Sequence, residues 1–257
     1  MRGLVILVGE SFRDGKRGSR VTGTSQSHAW QKEATDSHIQ FLKHIEQKHN
    51  LTLDISLNTY GTNYTKDLID WYSSDFNVIR YFFGIKQEEA KHKHTTEINK
   101  TIKNALRRDY KNADYDFTFV FRFDLVLKQP LFDVFDPNWT TIRFPFVWYW
   151  REGKKGNAEK FECGYSFPVV SDVMLFLPKK FFDTLFEFHL DLNSWNDLIC
   201  NKDRALTYDD IDVMVDTMHR LNSQDMRNPL YKMVSRPEHP RKSCSRKTFN
   251  KYRQNEK

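Results

Sequence analysis

The feature of this 257-residue chain that most constrains its fold is the alternation of two hydrophobic periodicities in its first half. The first is a continuous apolar run at Leu4–Val8, typical of a strand buried on both faces, and further short strand-like segments alternate with stretches whose apolar residues recur at helical spacing. This β-α-β-α-β-α-β order predicts a parallel sheet with crossover helices. The strands are predicted at 4–8, 53–60, 77–83 and 117–124, and the helices between them start near Ser27, Thr65 and Gln87.

The second half of the chain is less regular. Its composition predicts strands at 140–150 and 172–178, a loop at 151–164, and helices at 179–192 and 207–222. We therefore expect an α/β fold with a Rossmann-type parallel N-terminal half and a mixed second half. A single domain is expected over 1–235, followed by a basic tail at 236–257.

The net charge of +6 is concentrated in that tail, which holds eight Lys or Arg and two Glu and so accounts for the whole excess. The neutral body gives no support to specific nucleic-acid binding. A basic tail is most often a solvated terminus, but it can contact a polyanion or an acidic membrane surface. A hydrophobic content of 39% with 15% aromatic residues excludes disorder of the body.

The chain also lacks the usual signals for export or membrane insertion. No apolar stretch approaches the length of a transmembrane helix, and the first residues read as a strand rather than a signal peptide. Three widely spaced cysteines fit a reducing compartment. The expected location is the cytoplasm, or the host cytoplasm if the protein is viral.

The loop after the first strand is the first candidate site, because ligands of parallel sheets bind beyond the carboxyl ends of the strands. It contains glycines and a set of basic side chains suited to phosphate: Arg13, Lys16, Arg17 and Arg20. It is not a P-loop, since five residues separate Gly9 from Gly15, where the motif requires four. The alternative interpretation is a solvated mobile loop.

The second candidate is Arg122 and Asp124, which close the fourth strand and share one face of it. A carboxylate at this edge can hold a hard divalent ion that binds a diphosphate, while the arginine contacts phosphate or positions the carboxylate. The alternative is a structural ion pair at a strand end.

Isolated carboxylates form the third candidate group. Asp209 and Asp210 stand next to a further aspartate, so mutual repulsion could raise one pKa and produce a general base, and Asp172 precedes a strand. An acidic helix start is the alternative for the pair. His239 could ligate a metal if the tail folds back over the body.

The order of strand, basic loop, three βα units and a strand ending in Arg122-Phe123-Asp124 resembles the GT-A fold of nucleotide-sugar glycosyltransferases. FTFVFRFDLVL is similar to the corresponding strand in enzymes that build surface glycans in bacteria and in large DNA viruses of algae. SDVMLFLPKKFFDTL and TYDDIDVMVDTMHR resemble the segments that follow there. The usual motif of that fold is Asp-x-Asp, and only its last position matches here.

The resemblance implies a metal-assisted, inverting transfer from a nucleotide-sugar donor, with a UDP-sugar favoured, to a glycan or glycoprotein acceptor. It implies that Asp124 binds Mn²⁺ or Mg²⁺, that basic residues including Arg13, Arg17 and Arg20 assist, and that Asp209 or Asp210 is the base. The aromatic residues at 146–150 could form an acceptor platform. Two alternatives remain: a non-catalytic polyanion- or glycan-binding module, and another phosphate-handling α/β enzyme such as a nucleotidyl- or sulfotransferase.

Overall fold

The computed structural model describes residues 1–14, 21–84, 114–137, 140–144, 147–152, 166–170, 174–182, 211–213 and 231–233. The first half contains β1 (Arg2–Val8), β2 (Arg13–Asp14), β3 (Val21–Thr22), α1 (Ser25–His49), β4 (Thr52–Tyr60), α2 (Thr65–Ser73), β5 (Asn77–Gly84) and β6 (Phe117–Arg122). The second half contains β7 (Leu125–Leu127), α3 (Gln129–Val134), β8 (Ile142–Phe144), β9 (Val147–Glu152), β10 (Ser166–Val170), β11 (Met174–Pro178), a 3₁₀ turn (Lys179–Phe181), β12 (Ile211–Val213) and β13 (Tyr231–Met233).

Seven of the strands in the described part of the chain form one sheet in the order β12-β8-β11-β6-β1-β4-β5. β5, β4, β1 and β6 are mutually parallel, as the alternating pattern predicts. β11 is antiparallel to β6 and to β8, and β12 is parallel to β8. The expected fold class, a parallel N-terminal half with a mixed second half, is confirmed.

The strand order reverses at β1. From β1 the chain crosses to β4 and β5 on one side, and β6 then lies on the other side of β1. In open α/β sheets such a reversal marks the edge where ligands bind, beyond the carboxyl ends of the two strands concerned. The residues that follow Val8 and Arg122 are therefore the candidate ligand-binding residues of this fold.

One face of this sheet packs against the three helices. Alternate residues of β1, β4 and β6 enter that layer, and four phenylalanines of one stretch, Phe117, Phe119, Phe121 and Phe123, are at most 1% exposed. Each buried ring contributes roughly 1.5–3 kcal/mol of transfer free energy. The same alternation sends Arg122 to the opposite face, which separates it from the aromatic core.

Helix α1 forms where its apolar spacing predicts, with Ala34, Phe41 and Ile45 fully buried on one stripe. Its N-cap is Thr24 rather than the expected Ser27, because the Thr24 side chain accepts a hydrogen bond from the backbone N–H of Ser27 at 3.0 Å. The helix ends at Asn50, whose left-handed backbone has φ 51°.

Three predictions of element type or extent are wrong in the part of the chain that the structure describes, two of them in the second half. The helix predicted at 207–222 is a strand at Ile211–Val213, where two β-branched residues alternate with Asp212 and pair with β8. The strand predicted at 140–150 divides into β8 and β9, which belong to different sheets on either side of Pro145. β6 ends at Arg122, so Phe123 and Asp124 form a turn before β7.

Several predictions fall wholly or mostly outside the described residues. These are the helix at 87–109, most of the loop at 151–164, the helix at 179–192 beyond its first turn, and the tail at 236–257. The division of the chain at 235 stays a prediction. Within the described ranges, no helix combines the length and the apolar character needed to cross a membrane.

Candidate functional site

The site lies where the chain leaves the two central strands. Val8 and Arg122 are paired across β1 and β6, so residues 9–13 and 123–124 emerge side by side. Gly9 turns the chain out of β1 with φ +103°, a conformation that a side chain would strain. The backbone N–H of Phe123 still donates to the carbonyl of Val8 at 3.1 Å, which holds the two exits together.

Asp124 is the centre of the site, and both of its oxygens accept hydrogen bonds from arginines. Arg122 Nε donates to Oδ1 at 2.8 Å and Arg122 Nη2 donates to Oδ2 at 2.6 Å, a bidentate pair. Arg13 Nη1 donates to Oδ2 at 3.2 Å. The Asp124 side chain is 3% exposed, that of Arg13 1% and that of Arg122 20%, so Arg122 is the member that reaches solvent.

Glu10 adds a second buried carboxylate to this cluster. Its Oε2 lies 3.8 Å from Arg13 Nε, and its side chain is 4% exposed. Glu10, Arg13, Arg122 and Asp124 together form a chain of alternating charges that is formally neutral. Buried charges of this kind persist because each is paired, and removing one partner leaves another unpaired.

The loop that carries Arg13 passes through a strained residue, because Phe12 has a left-handed backbone with φ 50°. For a bulky residue this conformation costs roughly 1–3 kcal/mol and persists only where neighbours impose it. Gln31 of α1 imposes it: its Oε1 accepts from the Phe12 N–H and its Nε2 donates to the Phe123 carbonyl, both at 3.1 Å. The Phe12 carbonyl accepts from the Gly23 N–H at 3.0 Å.

Gln31 therefore ties the loop after β1 to the turn after β6. The sequence reasoning missed it, although one signal was present. Gln31 is a polar residue on the apolar stripe of α1, one turn before Ala34 and Thr35, and it is 1% exposed. A polar side chain at a buried stripe position needs hydrogen-bond partners, which here are backbone groups of the site.

The ring of Phe12 packs into a small aromatic group at the same edge. It stacks on His28 with the ring centroids 5.9 Å apart, and it also contacts Tyr64 and Trp71. His28 Nε2 lies 2.8 Å from Asp67 Oδ2, which joins the start of α1 to α2. This packing gives the strained loop a rigid support.

The end of β1 is also tied to the end of β4. The Ser11 N–H donates to Thr59 Oγ1, and the Thr59 hydroxyl donates to Ser11 Oγ, each at 2.9 Å. Both residues are buried, so the start of the loop is fixed to two neighbouring strands.

The buried His38 side chain holds the turn at Phe123 and Asp124 through a hydrogen bond to the residue that follows it. Its Nε2 lies 2.6 Å from the Leu125 carbonyl, which can only accept, so Nε2 carries the proton. Its Nδ1 then accepts from the Tyr72 hydroxyl at 2.6 Å. Burial lowers the pKa of His38 to about 3, so the ring is neutral. His38 thus fixes the residue that follows Asp124 and has no exposed proton to offer a substrate.

The structure brings together three of the residues predicted from the sequence: Arg13, Arg122 and Asp124. The other predicted site residues lie outside the described part of the chain, and their roles stay predictions. They are Lys16, Arg17, Arg20, Asp172, Asp209, Asp210 and His239.

Three described strands lie next in sequence to segments that contain predicted site residues. Met174, two residues after Asp172, pairs with Phe121 at the carboxyl end of β6. Ile211, directly after Asp210, pairs with Ile142 near the opposite end of the sheet, roughly 15–20 Å of strand from the Asp124 turn. Met233 pairs with Leu125, which directly follows Asp124, and the sequence did not predict this strand pairing.

The described residues of the site do not fit a divalent cation in this arrangement. Mn²⁺ or Mg²⁺ needs several oxygen ligands with a net negative charge. Both oxygens of Asp124 accept from guanidinium groups, and two positive charges would face the ion. Across the described ranges, no three His, Cys, Asp or Glu side chains cluster as a metal site would require.

No protein-family profile matches the chain, and no curated protein matches it. Among solved structures, HddC from Yersinia pseudotuberculosis is similar over 100% of both chains, with 13% identity and a TM-score of 0.41. A glycosyltransferase involved in the glycosylation of the major capsid of PBCV-1 matches 72% of this chain and 63% of its own, with 7% identity and a TM-score of 0.33. The inositol-1-phosphate CTP transferase of T. maritima matches 87% and 92%, with 9% identity and a TM-score of 0.37.

These matches include transferases of the kinds that the sequence resembles. At such TM-scores they carry no weight for a particular activity.

Proposed function

We propose that this chain is a glycosyltransferase that takes a sugar from a nucleoside-diphosphate donor and transfers it to a glycan or glycoprotein hydroxyl. The observation that carries the proposal is the arginine pair on Asp124 at the reversal point of a parallel sheet. Guanidinium groups match phosphate oxygens in charge and geometry, and Arg stays charged at every physiological pH. A UDP-sugar is the first donor to test.

In the proposed reaction an acceptor hydroxyl oxygen attacks the anomeric carbon of the donor. The bond from that carbon to the diphosphate oxygen breaks, and its electron pair leaves with the diphosphate. The hydroxyl proton passes to a carboxylate base. Arginines near the diphosphate stabilise the leaving group, because its negative charge grows in the transition state. Direct displacement of this kind inverts the anomeric configuration.

Asp172 is the leading candidate for the base, ahead of Asp209 and Asp210. The strand that follows Asp172 begins at Met174 beside Phe121, on the side of the sheet where Asp124 lies. The strand that follows Asp210 begins near the opposite end. A base must approach the reacting hydroxyl to hydrogen-bond distance, and the position of Met174, two residues after Asp172 in the sequence, supports testing Asp172 first.

Thermal unfolding in the presence of UDP, GDP, CMP and 3′,5′-adenosine bisphosphate tests the ligand class. A ligand at about 100 times its Kd adds about 2.7 kcal/mol of stability, which raises the Tm of a chain of this size by about 5–10 °C. We expect a saturable shift with a nucleoside diphosphate. A shift with 3′,5′-adenosine bisphosphate alone would favour a sulfotransferase, and no shift with any of them would contradict the proposal.

Matched variants separate binding at this site from general stabilisation. Arg122→Gln removes the partly exposed guanidinium of the site, whereas Arg2→Gln removes an arginine that pairs with Asp54 at the other edge. We expect the nucleotide-dependent shift to disappear in the first variant and to persist in the second. Release of UDP from UDP-sugars, followed by chromatography, then identifies the donor.

The proposal also covers the cellular location of the enzyme and the role of its basic tail, residues 236–257. We place the enzyme in the cytoplasm, supported by three unclustered cysteines, and assign residues 236–257 a salt-sensitive contact with polyanions. Truncation after Pro240 should preserve donor hydrolysis and weaken binding to heparin-agarose. Loss of hydrolysis in a folded truncated protein would instead show that the tail completes the active site.

A further inference from the structure

The charge arrangement around Asp124 differs from that of a carboxylate waiting for a cation. A metal ligand presents at least one lone pair toward the ion, and its neighbours are other oxygen donors. Here Oδ1 and Oδ2 of Asp124 accept three hydrogen bonds from two arginines. These bonds take at least three of the roughly four lone-pair positions of the carboxylate, and a divalent cation bound to Asp124 would lie beside two guanidinium charges.

Burial of the cluster opposes any movement of Arg13 away from Asp124. Arg13 is 3% exposed and also faces Glu10, with its Nε 3.8 Å from Glu10 Oε2. Release of Arg13 from Asp124 would leave an incompletely paired charge in the interior, a change that typically destabilises a protein by several kcal/mol. The backbone on both sides of the contact is held by Gln31, so the arginine loop has little freedom to retreat.

From these contacts we infer that Asp124 is a positioning residue for Arg122 and Arg13, and that the site meets the negative charge of a diphosphate with guanidinium groups rather than with Mn²⁺ or Mg²⁺. The inference rests on the proposed function and specifies how its donor is bound. It reassigns Asp124, predicted from the sequence as a metal ligand, on the basis of the partners of its two oxygens.

The chemistry of arginine supports this assignment. A guanidinium group has five N–H donors in one plane, and the bidentate pair with Asp124 uses two of those of Arg122. The carboxylate fixes the plane and direction of the group, so little side-chain entropy is lost when an anion binds. Lysine could not be fixed in this way, because its ammonium group is a point charge on a flexible chain.

The decisive experiment is calorimetric titration of the wild-type protein with UDP and with inorganic pyrophosphate, in a buffer with EDTA and in one with Mn²⁺. The expected result is an affinity that agrees within about twofold between the two buffers, well below the tenfold change that about 1.4 kcal/mol produces. Binding that weakens tenfold or more in EDTA would overturn the inference and leave the proposed function standing. If neither anion binds in either buffer, the proposed function fails, and this inference fails with it.

Two variants distinguish positioning from metal ligation. If Asp124 positions the arginines, Asp124→Asn should weaken UDP binding by the same factor in both buffers, and Arg122→Gln should do so by about ten- to hundredfold. If Asp124 is a metal ligand, Asp124→Asn should weaken binding in Mn²⁺ alone. Circular dichroism and the unligated Tm establish that each variant is folded, and the two-buffer comparison of the wild type decides the question even if a variant is not.

Discussion

Two buried aspartates at opposite edges of the same sheet are held in different ways. Asp54, 1% exposed, lies at the amino-terminal edge and accepts from Arg2 Nε at 2.9 Å, from the Tyr115 hydroxyl at 2.7 Å and from Asn77 Nδ2 at 2.7 Å. Asp124, 2% exposed, lies at the carboxyl-terminal edge and accepts from two arginines.

The two aspartates differ in the number of arginines with which each one pairs. Asp54 has one arginine, with a side chain 46% exposed, and two neutral donors that join β5 and the start of β6 to β4. This arrangement stabilises the sheet. Asp124 gathers two arginines, one of them nearly buried, at the edge where ligands of parallel sheets bind. Two guanidinium groups on one carboxylate at that edge, one of which reaches solvent, distinguish the candidate binding site from the structural arrangement around Asp54.

The largest expected effect tests whether chemistry is confined to the carboxyl-terminal edge. Asp172→Asn should lower kcat by about 10²–10⁴-fold, because a general base is lost, while the affinity for the donor nucleotide is retained. Asp210→Asn is the matched control and should change kcat by less than about tenfold. The measurement is kcat with the identified donor and acceptor, together with a separate titration of the nucleotide. The reverse order of effects would return the base to the 209–210 pair.

The second prediction concerns the amino-terminal edge. Asp54→Ala leaves Arg2, Tyr115 and Asn77 without their common acceptor and should lower the free energy of unfolding by about 3–5 kcal/mol. Urea denaturation measures this change. Nucleotide affinity of the folded variant should stay within about twofold of wild type. A folded variant that loses nucleotide binding would show that the two edges are coupled, and that Asp54 does not have a purely structural role.

The third prediction concerns His38, which supports the carboxyl-terminal turn. The folded chain keeps His38 neutral down to about pH 3, because its pKa is lowered to about 3 by burial. An unfolded histidine binds a proton below about pH 6.5, so acid favours the unfolded state through this residue. Its stabilising contribution is complete above about pH 6.5 and falls by up to about 1.4 kcal/mol per pH unit below it.

His38→Gln keeps a donor and an acceptor but cannot titrate. The difference in unfolding free energy between wild type and this variant should therefore shrink by about 2–3 kcal/mol between pH 6.5 and 4.5. Urea denaturation at a series of pH values provides the measurement. Parallel pH profiles for the two proteins would mean that His38 is not buried in its neutral form.

The contrast between the two edges also explains what the sequence could predict. The parallel half follows from local patterns, since the short strand-like segments at β1, β4, β5 and β6 alternate with segments of helical spacing. The pair of Arg122 and Asp124 was predicted from strand alternation, although β6 ends at Arg122 and the pair forms across the turn that follows. The contact of Arg13 with Asp124 joins residues 111 positions apart, which no local pattern encodes.

The short strands of the second half could not be predicted from the sequence for a related reason. Ile211–Val213 is three residues long, and its helical interpretation rested on acidic residues before it and apolar residues after it. Its pairing with β8 is a tertiary contact that overrides this local preference. β13 is equally short and pairs with β7, about a hundred residues earlier in the chain.

The smallest expected effect tests Gln31, the residue that joins the two halves of the carboxyl-terminal edge. Gln31→Leu has similar volume and leaves the Phe12 N–H and the Phe123 carbonyl without their side-chain partners. The unfolding free energy should fall by about 1–3 kcal/mol, the cost of unsatisfied buried polar groups. Because the strained Phe12 conformation would lose its support, Arg13 should also lose its fixed position, and nucleotide affinity should fall several-fold in EDTA and in Mn²⁺ alike. Asn50→Ala is the control: it places alanine in the left-handed conformation at the far end of the same helix, at a cost of about 1–2 kcal/mol, so it should reduce stability while leaving affinity unchanged. Equal effects of the two variants on affinity would mean that helix stability, and not the two hydrogen bonds of Gln31, holds the arginine loop in place.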